Sequence, residues 1–175
     1  YMPDLLSIPY TSESLDIFCK NIDITQNFLG REIFIENPSS YIEYKISQQE
    51  ESEFLVELCK RSGAKILFDV NNLFVSASNH GWDSIKYIDS IPKDLIKEIH
   101  LAGHMVKVLS SNQEIRVDTH NDYVCQEVWD LYAYVIKKFG PVPTLLEWDA
   151  DIPSLDILIS EASKALKYLL PEEKR

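Results

Sequence analysis

The chain is poor in basic residues and has no long apolar run. Lys and Arg together number 17 against 28 Asp and Glu, so the formal net charge at pH 7 is −11. Nucleic acids and anionic membranes are bound by basic patches, and because the sequence contains no Lys/Arg cluster we expect neither as a partner. No segment approaches the roughly 20 apolar residues of a membrane span, and the N-terminus lacks the pattern of a signal peptide. The sequence therefore predicts a cytoplasmic protein.

Cysteine and the common catalytic motifs are also scarce. Cys19, Cys59 and Cys125 are odd in number, far apart and form no CxxC pair, which argues against both a disulfide framework and a zinc ribbon. We expect them to be buried thiols. The chain has no Gly-rich phosphate loop, nucleophile elbow or HExxH helix. No single short motif of these kinds identifies its chemistry.

The composition is that of a globular protein. A length of 175 residues with 45% hydrophobic and 26% charged residues is enough for one core. We therefore expect a single domain over residues 1–175, with a polar tail over residues 171–175.

Helical and extended patterns alternate along the chain. Strands are predicted over residues 32–36, 64–70, 97–101 and 144–148. Helices are predicted over residues 11–27, from a capping box at Ser47 to Gly63, between Asp83 and Pro92, over residues 124–139, and from Asp151 with a core face of Ile157, Leu158, Ala162, Ala165, Leu166 and Leu169. Residues 79–82 are predicted to form a loop and residues 105–117 a β-hairpin. Repeating units of roughly 30 residues imply a parallel α/β sheet with right-handed crossovers.

All four predicted strands of this sheet end in a side chain that can bind a metal ion. These side chains are Glu36, Asp69, His100 and Glu147. Ligands of parallel α/β sheets bind at the carboxyl ends of the strands, and buried carboxylates repel one another unless a cation or protons intervene. The pattern favours a metal or acid–base site over the alternative, a hydrogen-bonded polar network that closes the top of a barrel.

Residues 98–122 hold three of the four histidines. His100 ends a predicted strand, and Asp118 and His120 are the outer residues of an Asp-Thr-His triplet that the hairpin would deliver to the same edge. Imidazole with carboxylate is the ligand mixture that zinc, manganese and non-heme iron accept. This stretch therefore adds Asp118 and His120 to the candidate ligands.

Three further side chains are weaker candidates. His104 could be a ligand, a donor that orients a ligand, or a loop histidine. His80 fits a loop-bracing hydrogen bond better than a metal ligand. Asn72, like Asn71, could be a ligand, a substrate anchor or a turn former, because the amide both donates and accepts.

Eight short motifs, in order, cover nearly the whole chain. They are FLGR at residues 28–31, ENPSSY at 36–41, DVNN at 69–72, NHG at 79–81, IHLAGH at 99–104, DTH at 118–120, FGPVPT at 139–144 and EWDADIP at 147–153. On these motifs the chain resembles the multinuclear non-heme iron oxidative enzymes, the family of the methanobactin oxidase subunit. The resemblance is highly specific because it rests on all eight motifs together and not on any one of them.

The resemblance implies a TIM-type β/α barrel that holds two or three iron ions. With dioxygen, such enzymes oxidatively modify a residue, commonly cysteine, in a ribosomally made precursor peptide, often with a small partner protein. Carried over by position, the family's metal motifs fall on Glu36, Asp69, His100, Asp118, His120 and Glu147, with Asn72, His80 and His104 as a second tier.

The chain departs from this family in length. A complete barrel needs eight βα units and about 250 residues, whereas about four βα units can be recognised here. The resemblance therefore covers the C-terminal half of a barrel, whose open edges would expose an apolar face. We expect either a fragment that lacks an N-terminal half or self-association that covers those edges.

Two other functions stay open at this point. Zinc or manganese in a barrel of the sugar-isomerase or endonuclease type would activate water or polarise a carbonyl with the same ligands. A half-barrel that has lost part of its ligand set could instead be a non-catalytic binding fragment.

Overall fold

The computed structural model describes residues 6–169, and the predicted polar tail lies outside them. Its elements in chain order are α1 (Ser12–Leu29), β1 (Phe34–Glu36), α2 (Glu51–Ser62), β2 (Lys65–Asp69), α3 (Val70–His80), α4 (Ser84–Ser90), β3 (Ile96–Ala102), β4 (Met105–Val108), β5 (Glu114–Val117), α5 (Gln126–Phe139), β6 (Thr144–Glu147), α6 (Leu155–Ser163) and α7 (Leu166–Leu169). Within the described range, no helix has both the length and the apolar character required to cross a bilayer.

The central sheet is parallel, as the alternation of strand and helix predicts. Its strand order is β1-β2-β3-β6, and β4 and β5 form a separate antiparallel hairpin. Asp69 is in register with His100, and Ala102 with Glu147, so the strands end at one edge. Strands β1 and β6 lie at the two borders, and the described strands form an open sheet and do not close on themselves.

The helices cover one face of this sheet. Ile66, Phe68, Ile99 and Leu101 point into the main core, which the helices α2, α4 and α5 complete, and α1 packs on α2 in a second cluster. The opposite face carries Phe34 and Leu145, which are 41% and 48% exposed. An apolar side chain in a parallel strand is normally covered on both faces of the sheet, so this face has the character of a barrel interior.

The structure changes the predicted start of α2. The helix begins after Glu50, whose side chain and that of Glu53 form a reciprocal capping box, so the predicted box starting at Ser47 is wrong. The Ser47 hydroxyl instead accepts a hydrogen bond from Tyr10 N at 3.1 Å, which ties the segment before α1 to the segment before α2. Thr11 caps α1 and Asp83 caps α4.

Helix α3 is the element that the sequence pattern did not predict. It follows β2 without a loop and includes residues 79 and 80, which were predicted to lie in a loop. The helix buries polar side chains, such as Asn71, Asn72 and Ser76, together with apolar ones. Because burial extends around the helix, the polar residues interrupt the apolar stripe by which an amphipathic helix is recognised.

The last predicted helix is divided in two. A turn at residues 164–165 separates α6 from α7 and changes the direction of the side chains that follow it. Ala162, before the turn, and Leu166, after it, are exposed, contrary to the predicted core face, while Glu161 is buried. Ala165 lies in the core as predicted.

Gly103 has no space for a side chain. A Cβ at this position would lie 2.0 Å from Asp122 O and 2.8 Å from Tyr123 O, both of them backbone atoms that cannot rotate away. We expect Gly103→Ala to lower the free energy of unfolding by about 3 kcal/mol or more, measured by urea titration. Gly81→Ala is the control, because no atom lies within 4 Å and only the positive φ opposes it, at roughly 1 to 2 kcal/mol. A smaller loss for Gly103→Ala than for the control would contradict the close backbone contact.

Candidate metal centre

Four of the predicted ligands lie together at the carboxyl edge of the sheet. Ligand atoms of Glu36, Asp69, His100 and Glu147 all lie within 4.8 Å of one another. His100 Nδ1 is 3.1 Å from Glu147 Oε2 and 3.8 Å from Glu36 Oε1. One imidazole and three carboxylates are a donor set suited to a divalent transition metal. We call these four residues the first ligand group.

A second group lies beside the first and shares Glu147 with it. His120, Glu147 and Asp149 can also direct one ligand atom each to a common point. His120 Nδ1 is 3.1 Å from Asp149 Oδ2 and 3.6 Å from Glu147 Oε2. The shared carboxylate therefore joins two potential cation sites, which is the arrangement expected for a multinuclear centre. We call these three residues the second ligand group.

The backbone around His120 fixes the second group. His120 has a φ of 48°, a value that is uncommon for a residue with a side chain. Its N–H donates to Gly103 O at 3.1 Å, and its carbonyl accepts from Asp149 N at 2.8 Å. These two bonds join the segment after the hairpin to the end of β3 and to the segment after β6. Strain held in this way is often found where a side chain must take a particular position.

Asp69 is the most buried acid of the first group. Burial raises the pKa of Asp69 to about 7, against the opposing hydrogen bond from Asn72 N, and the neighbouring carboxylate of Asp118 raises it further. Its Oδ1 accepts that bond at 2.7 Å, whereas Oδ2 is buried and has no hydrogen-bond partner among the described residues. Burial likewise raises the pKa of Glu36. A cation bound by the first group would satisfy Oδ2 and remove the repulsion, so the residues present fit a metal ion.

The pKa of His120 is also raised, but for an imidazole this shift favours the charged form. Burial disfavours the charged imidazole, but contact with Asp118 outweighs it and raises the pKa of His120 to about 9. His120 Nε2 lies 2.7 Å from Asp118 Oδ1 without an aligned hydrogen bond. In the absence of a cation, a protonated His120 therefore balances part of the carboxylate charge, and metal binding would release that proton.

Asn37 holds Asp69 in place. Its carboxamide accepts from Asp69 N at 2.8 Å and donates to Asp69 O at 2.9 Å, so the side chain takes the place of a neighbouring strand where β1 has ended. Asn72 completes the arrangement: its side chain donates to Asn37 O at 3.0 Å and accepts from the Ser39 hydroxyl at 2.8 Å. Both the nitrogen and the oxygen of the Asn72 amide thus join the segment after β1 to α3.

A chain of hydrogen bonds leads from His104 to Asp118. His104 Nδ1 is 2.8 Å from Asn71 Oδ1, and Asn71 Nδ2 donates to Asp118 Oδ1 at 2.7 Å. The His104 ring also packs against Phe74. Burial and the nearby Arg116 lower the pKa of His104, which favours the neutral imidazole. The structure thus places His104 two hydrogen bonds away from Asp118, in a position to orient it. Asp118 belongs to neither ligand group, but its Oδ1 is 2.7 Å from Nε2 of His120 in the second group.

His80 lies outside both ligand groups. Its Nε2 is 2.6 Å from Ser40 O, and its ring stacks on Trp82. These contacts brace the segment after β1 against the end of α3.

The sequence pattern did not single out Asp149 or Glu98. Asp149 joins the second group, and Glu98 Oε1 is 3.4 Å from His100 Nε2. Glu98 lies two residues before His100 within β3, and Asp149 lies two residues after Glu147, just past the end of β6. The period of two along a strand places such residues on the same face, so this spacing was the signal that could have found them.

Asp69→Asn should change how the stability of the metal-free protein depends on pH. With a native pKa of about 7 for Asp69 and an ordinary value of about 3.9, the folded state binds this proton more tightly than the unfolded state. This contribution therefore lowers the free energy of unfolding as pH rises from about 4 to about 7. Asparagine does not titrate, so the variant should gain on the wild type by on the order of 3 kcal/mol between pH 5 and pH 8.

Urea titrations with chelator present would measure this difference. Glu57→Gln, on the exposed side of α2, is the control and should follow the wild type at both pH values. If Asp69→Asn also follows the wild type, then the native pKa of Asp69 is not raised.

Comparison with known proteins identifies similar chains. The family model described as "RiPP precursor modification enzyme MbnB/TglH/ChrH" matches residues 1–170; RiPPs are ribosomally made, post-translationally modified peptides. Relatives include a UPF0276 protein of Vibrio parahaemolyticus, 48% identical over 165 residues, and one of Rhizorhabdus wittichii, 49% identical over 162 residues. These matches cover 94% and 93% of this chain but 57% and 56% of the relatives. The chain thus spans somewhat more than half the length of these relatives.

A solved structure is similar in fold. A xylose isomerase domain containing protein from Salmonella typhimurium superimposes with a TM-score of 0.52 at 13% identity, over 95% of this chain and 62% of that protein. At this identity the likeness concerns the fold alone. It supports a TIM-barrel-like α/β architecture with a parallel sheet.

Proposed function

The chain belongs to the MbnB/TglH/ChrH family of RiPP precursor modification enzymes, and from this we propose that it is a metal-dependent oxidative enzyme, or the C-terminal part of one. The proposed cofactor is a multinuclear non-heme iron centre. The proposed reaction is oxidation of a residue, commonly cysteine, in a ribosomally made precursor peptide. A small partner protein is proposed to present that peptide.

One observation carries this proposal: two ligand groups share Glu147 and converge beside the buried, unpartnered Oδ2 of Asp69. The first ligand group would hold one ion, and the second ligand group, with Asp118 next to His120, would hold another. Bound iron would supply the electron-transfer and dioxygen chemistry that protein side chains lack.

The surrounding residues of this chain orient the ligands. Asn37 fixes the backbone of Asp69, and Asn71 fixes the carboxylate of Asp118. Residues held in this way keep ligand atoms in place before a cation binds, and the loss of such partners typically costs 10- to 100-fold in metal affinity or activity.

The proposed peptide would approach the ligand groups at the carboxyl edge of the sheet. Glu36 at the end of β1 is exposed at this edge, whereas the helices cover one face of the sheet. Because the relatives are longer than this chain, we propose that further polypeptide or a second copy covers the borders β1 and β6 and the apolar side chains between them. A monodisperse monomer that binds no apolar dye would contradict this part of the proposal.

Metal analysis of protein purified without air tests the function most simply. We expect iron, at two or three ions in a complete protein, and an absorbance change when dioxygen is admitted. Zinc or manganese without iron, and no dioxygen-dependent change, would reject the oxidase. That result would favour a hydrolase or isomerase, because a carboxylate-rich site also suits those ions.

Single substitutions separate an enzyme from a non-catalytic binding fragment. For the enzyme, Glu36→Ala or His120→Ala should lower metal content and abolish the dioxygen-dependent change, because each removes a group that converges on the site. For a binding fragment, both variants should bind the partner peptide as the wild type does and differ from it in no metal-dependent property.

A further inference from the structure

The hairpin of β4 and β5 stands next to the second ligand group. β5 ends at Val117, three residues before His120. At the base of the hairpin, just before β4, the carbonyl of Gly103 accepts a hydrogen bond from the His120 N–H. The hairpin is a two-stranded sheet, so each strand has one edge that its partner does not cover. The two outer edges differ in what covers them.

The outer edge of β5 is closed by side chains. The Asn79 carboxamide donates to Arg116 O and accepts from Arg116 N, each at 2.9 Å. Two residues further along the chain, just past the end of β5, Asp118 N donates to the Tyr41 hydroxyl at 2.9 Å. Helix α3 thus occupies this edge through Asn79, and no further strand can pair there.

The outer edge of β4 is open among the described residues. Val106 is opposite Arg116, and because Arg116 directs its N–H and C=O away from β4 to Asn79, this pair exchanges no hydrogen bonds. Hydrogen-bonded and non-bonded pairs alternate in an antiparallel ladder, so Val108 and Glu114 also form a non-bonded pair. Val106 and Val108 therefore point two N–H and two C=O groups away from the hairpin, and over residues 6–169 none of them has a strand partner.

This open edge is apolar. Val106 is 48% exposed and Val108 is 61% exposed, with Met105 and Leu109 exposed beside them. Exposed edge strands are usually protected by proline, bulges or several charges, because unpaired backbone groups recruit other chains. β4 has no proline, no bulge is present in its pairing, and Lys107 is its one charged residue. The strand has the features of a surface that another strand covers.

We propose that the outer edge of β4 binds an extended segment of the substrate peptide by strand addition. This inference rests on the proposed function, which makes a ribosomal peptide the substrate. The backbone groups of Val106 and Val108 would pair with the peptide backbone, and alternate peptide side chains would contact the two valines. A peptide bound there would continue past Gly103 to the ligand groups.

Charge supports a peptide with an acidic residue at one position. Lys107 is exposed on the face of β4 opposite to Val106 and Val108. A residue of the added strand directly beside Lys107 would lie close to its ammonium group, where Asp or Glu is favoured and Lys or Arg is not. The apolar face and Lys107 together define a pattern in which apolar residues flank an acidic one.

A displayed library of random 12-residue peptides with one central cysteine can test the edge directly. Binders selected on the metal-free protein are synthesised with a fluorescent label, and their affinities are measured by anisotropy. Val106→Pro removes an outward N–H and leaves the hairpin bonds in place, so it should weaken binding at least about tenfold. Val106→Thr keeps both the N–H and the β-branched shape, and it should bind within about twofold of the wild type.

A second measurement leaves the protein unchanged. Each selected peptide is made in two forms, N-methylated at its odd or at its even residues. Strand addition uses the N–H groups of one edge only, so one form should lose binding and the other should keep it. Equal affinity of both forms, unchanged affinity in Val106→Pro, or no selected binder would each overturn the inference. Loss of a dimer in Val106→Pro would instead assign the edge to a second copy and would also overturn it.

These tests use metal-free protein, so they do not depend on the proposed chemistry. Edge binding without any oxidation of bound peptides would reject the proposed function and keep the inference. If the protein binds iron and reacts with dioxygen but Val106→Pro has no effect on peptide binding, the proposed function is kept and the inference is rejected.

Discussion

Glu147→Ala is expected to lower the affinity of the protein for metal ions at both ligand groups, by more than about 100-fold. The reason is that Glu147 Oε2 is 3.1 Å from His100 Nδ1 and 3.6 Å from His120 Nδ1, so one carboxylate serves both groups. Loss of a residue that only orients a ligand costs about 10- to 100-fold in affinity, and loss of a shared ligand should cost more. Titration with Fe²⁺ under nitrogen, followed by metal analysis after gel filtration, would measure the change.

Asp149→Ala separates the two groups. Asp149 belongs to the second ligand group alone, so this variant should lose one class of binding site and keep the other. Glu57→Ala removes a carboxylate from the exposed side of α2 and controls for the change in net charge. If Glu147→Ala and Asp149→Ala lose the same number of ions, the two groups are not joined through Glu147.

Asn37→Ala should be among the most destabilising single substitutions in this chain. Asn37 is fully buried, and its carboxamide is bonded to both backbone polar groups of Asp69. Each buried group left without a partner costs about 1 to 3 kcal/mol, so the free energy of unfolding should fall by about 4 kcal/mol. The backbone at Asp69 would also lose its fixed position, and metal affinity should fall with it.

Urea titrations of the metal-free protein would measure this loss as a shift in midpoint at constant slope. Asn121→Ala is the control, because the Asn121 amide bonds to the exposed carboxylate of Asp151 and its removal should cost less than about 1 kcal/mol. A similarly small change in Asn37→Ala would mean that water or neighbouring groups readily replace the carboxamide.

The regular alternation of strand and helix patterns in the sequence made the sheet predictable. Each βα unit has its own apolar run, and the carboxyl ends of parallel strands must meet at one edge. Glu36, Asp69, His100 and Glu147 could therefore be placed together without knowledge of side-chain geometry, and the structure brings them within reach of one cation. Whether they bind a metal ion stays a prediction.

Helix α3 could not be predicted from the same kind of pattern. Its polar residues Asn71, Asn72 and Asn79 have partners far away in sequence, at Asp118, Asn37 and Arg116. Buried polar groups of this kind are stabilised by tertiary hydrogen bonds, which leave no periodic signal. The sequence alone could not distinguish an asparagine that binds a ligand from one that holds two segments together.

The histidines illustrate the same limit. His100 and His80 both contact carboxylates, Glu147 for the former and Glu43 for the latter. They differ in the element that carries them, since β3 directs His100 to the shared edge whereas α3 directs His80 to the backbone of Ser40. The sequence favoured a bracing hydrogen bond for His80, but it placed His80 in a loop, and the helix that carries it was recognised only in the structure.

Anomalous diffraction from crystals grown without air tests the central claim most directly. Data collected above and below the iron absorption edge should give one iron peak among Glu36, Asp69, His100 and Glu147, and a second among His120, Glu147 and Asp149, with the carboxylate of Glu147 between them. Iron peaks elsewhere, or no iron peak within coordination distance of Glu147, would contradict the shared centre.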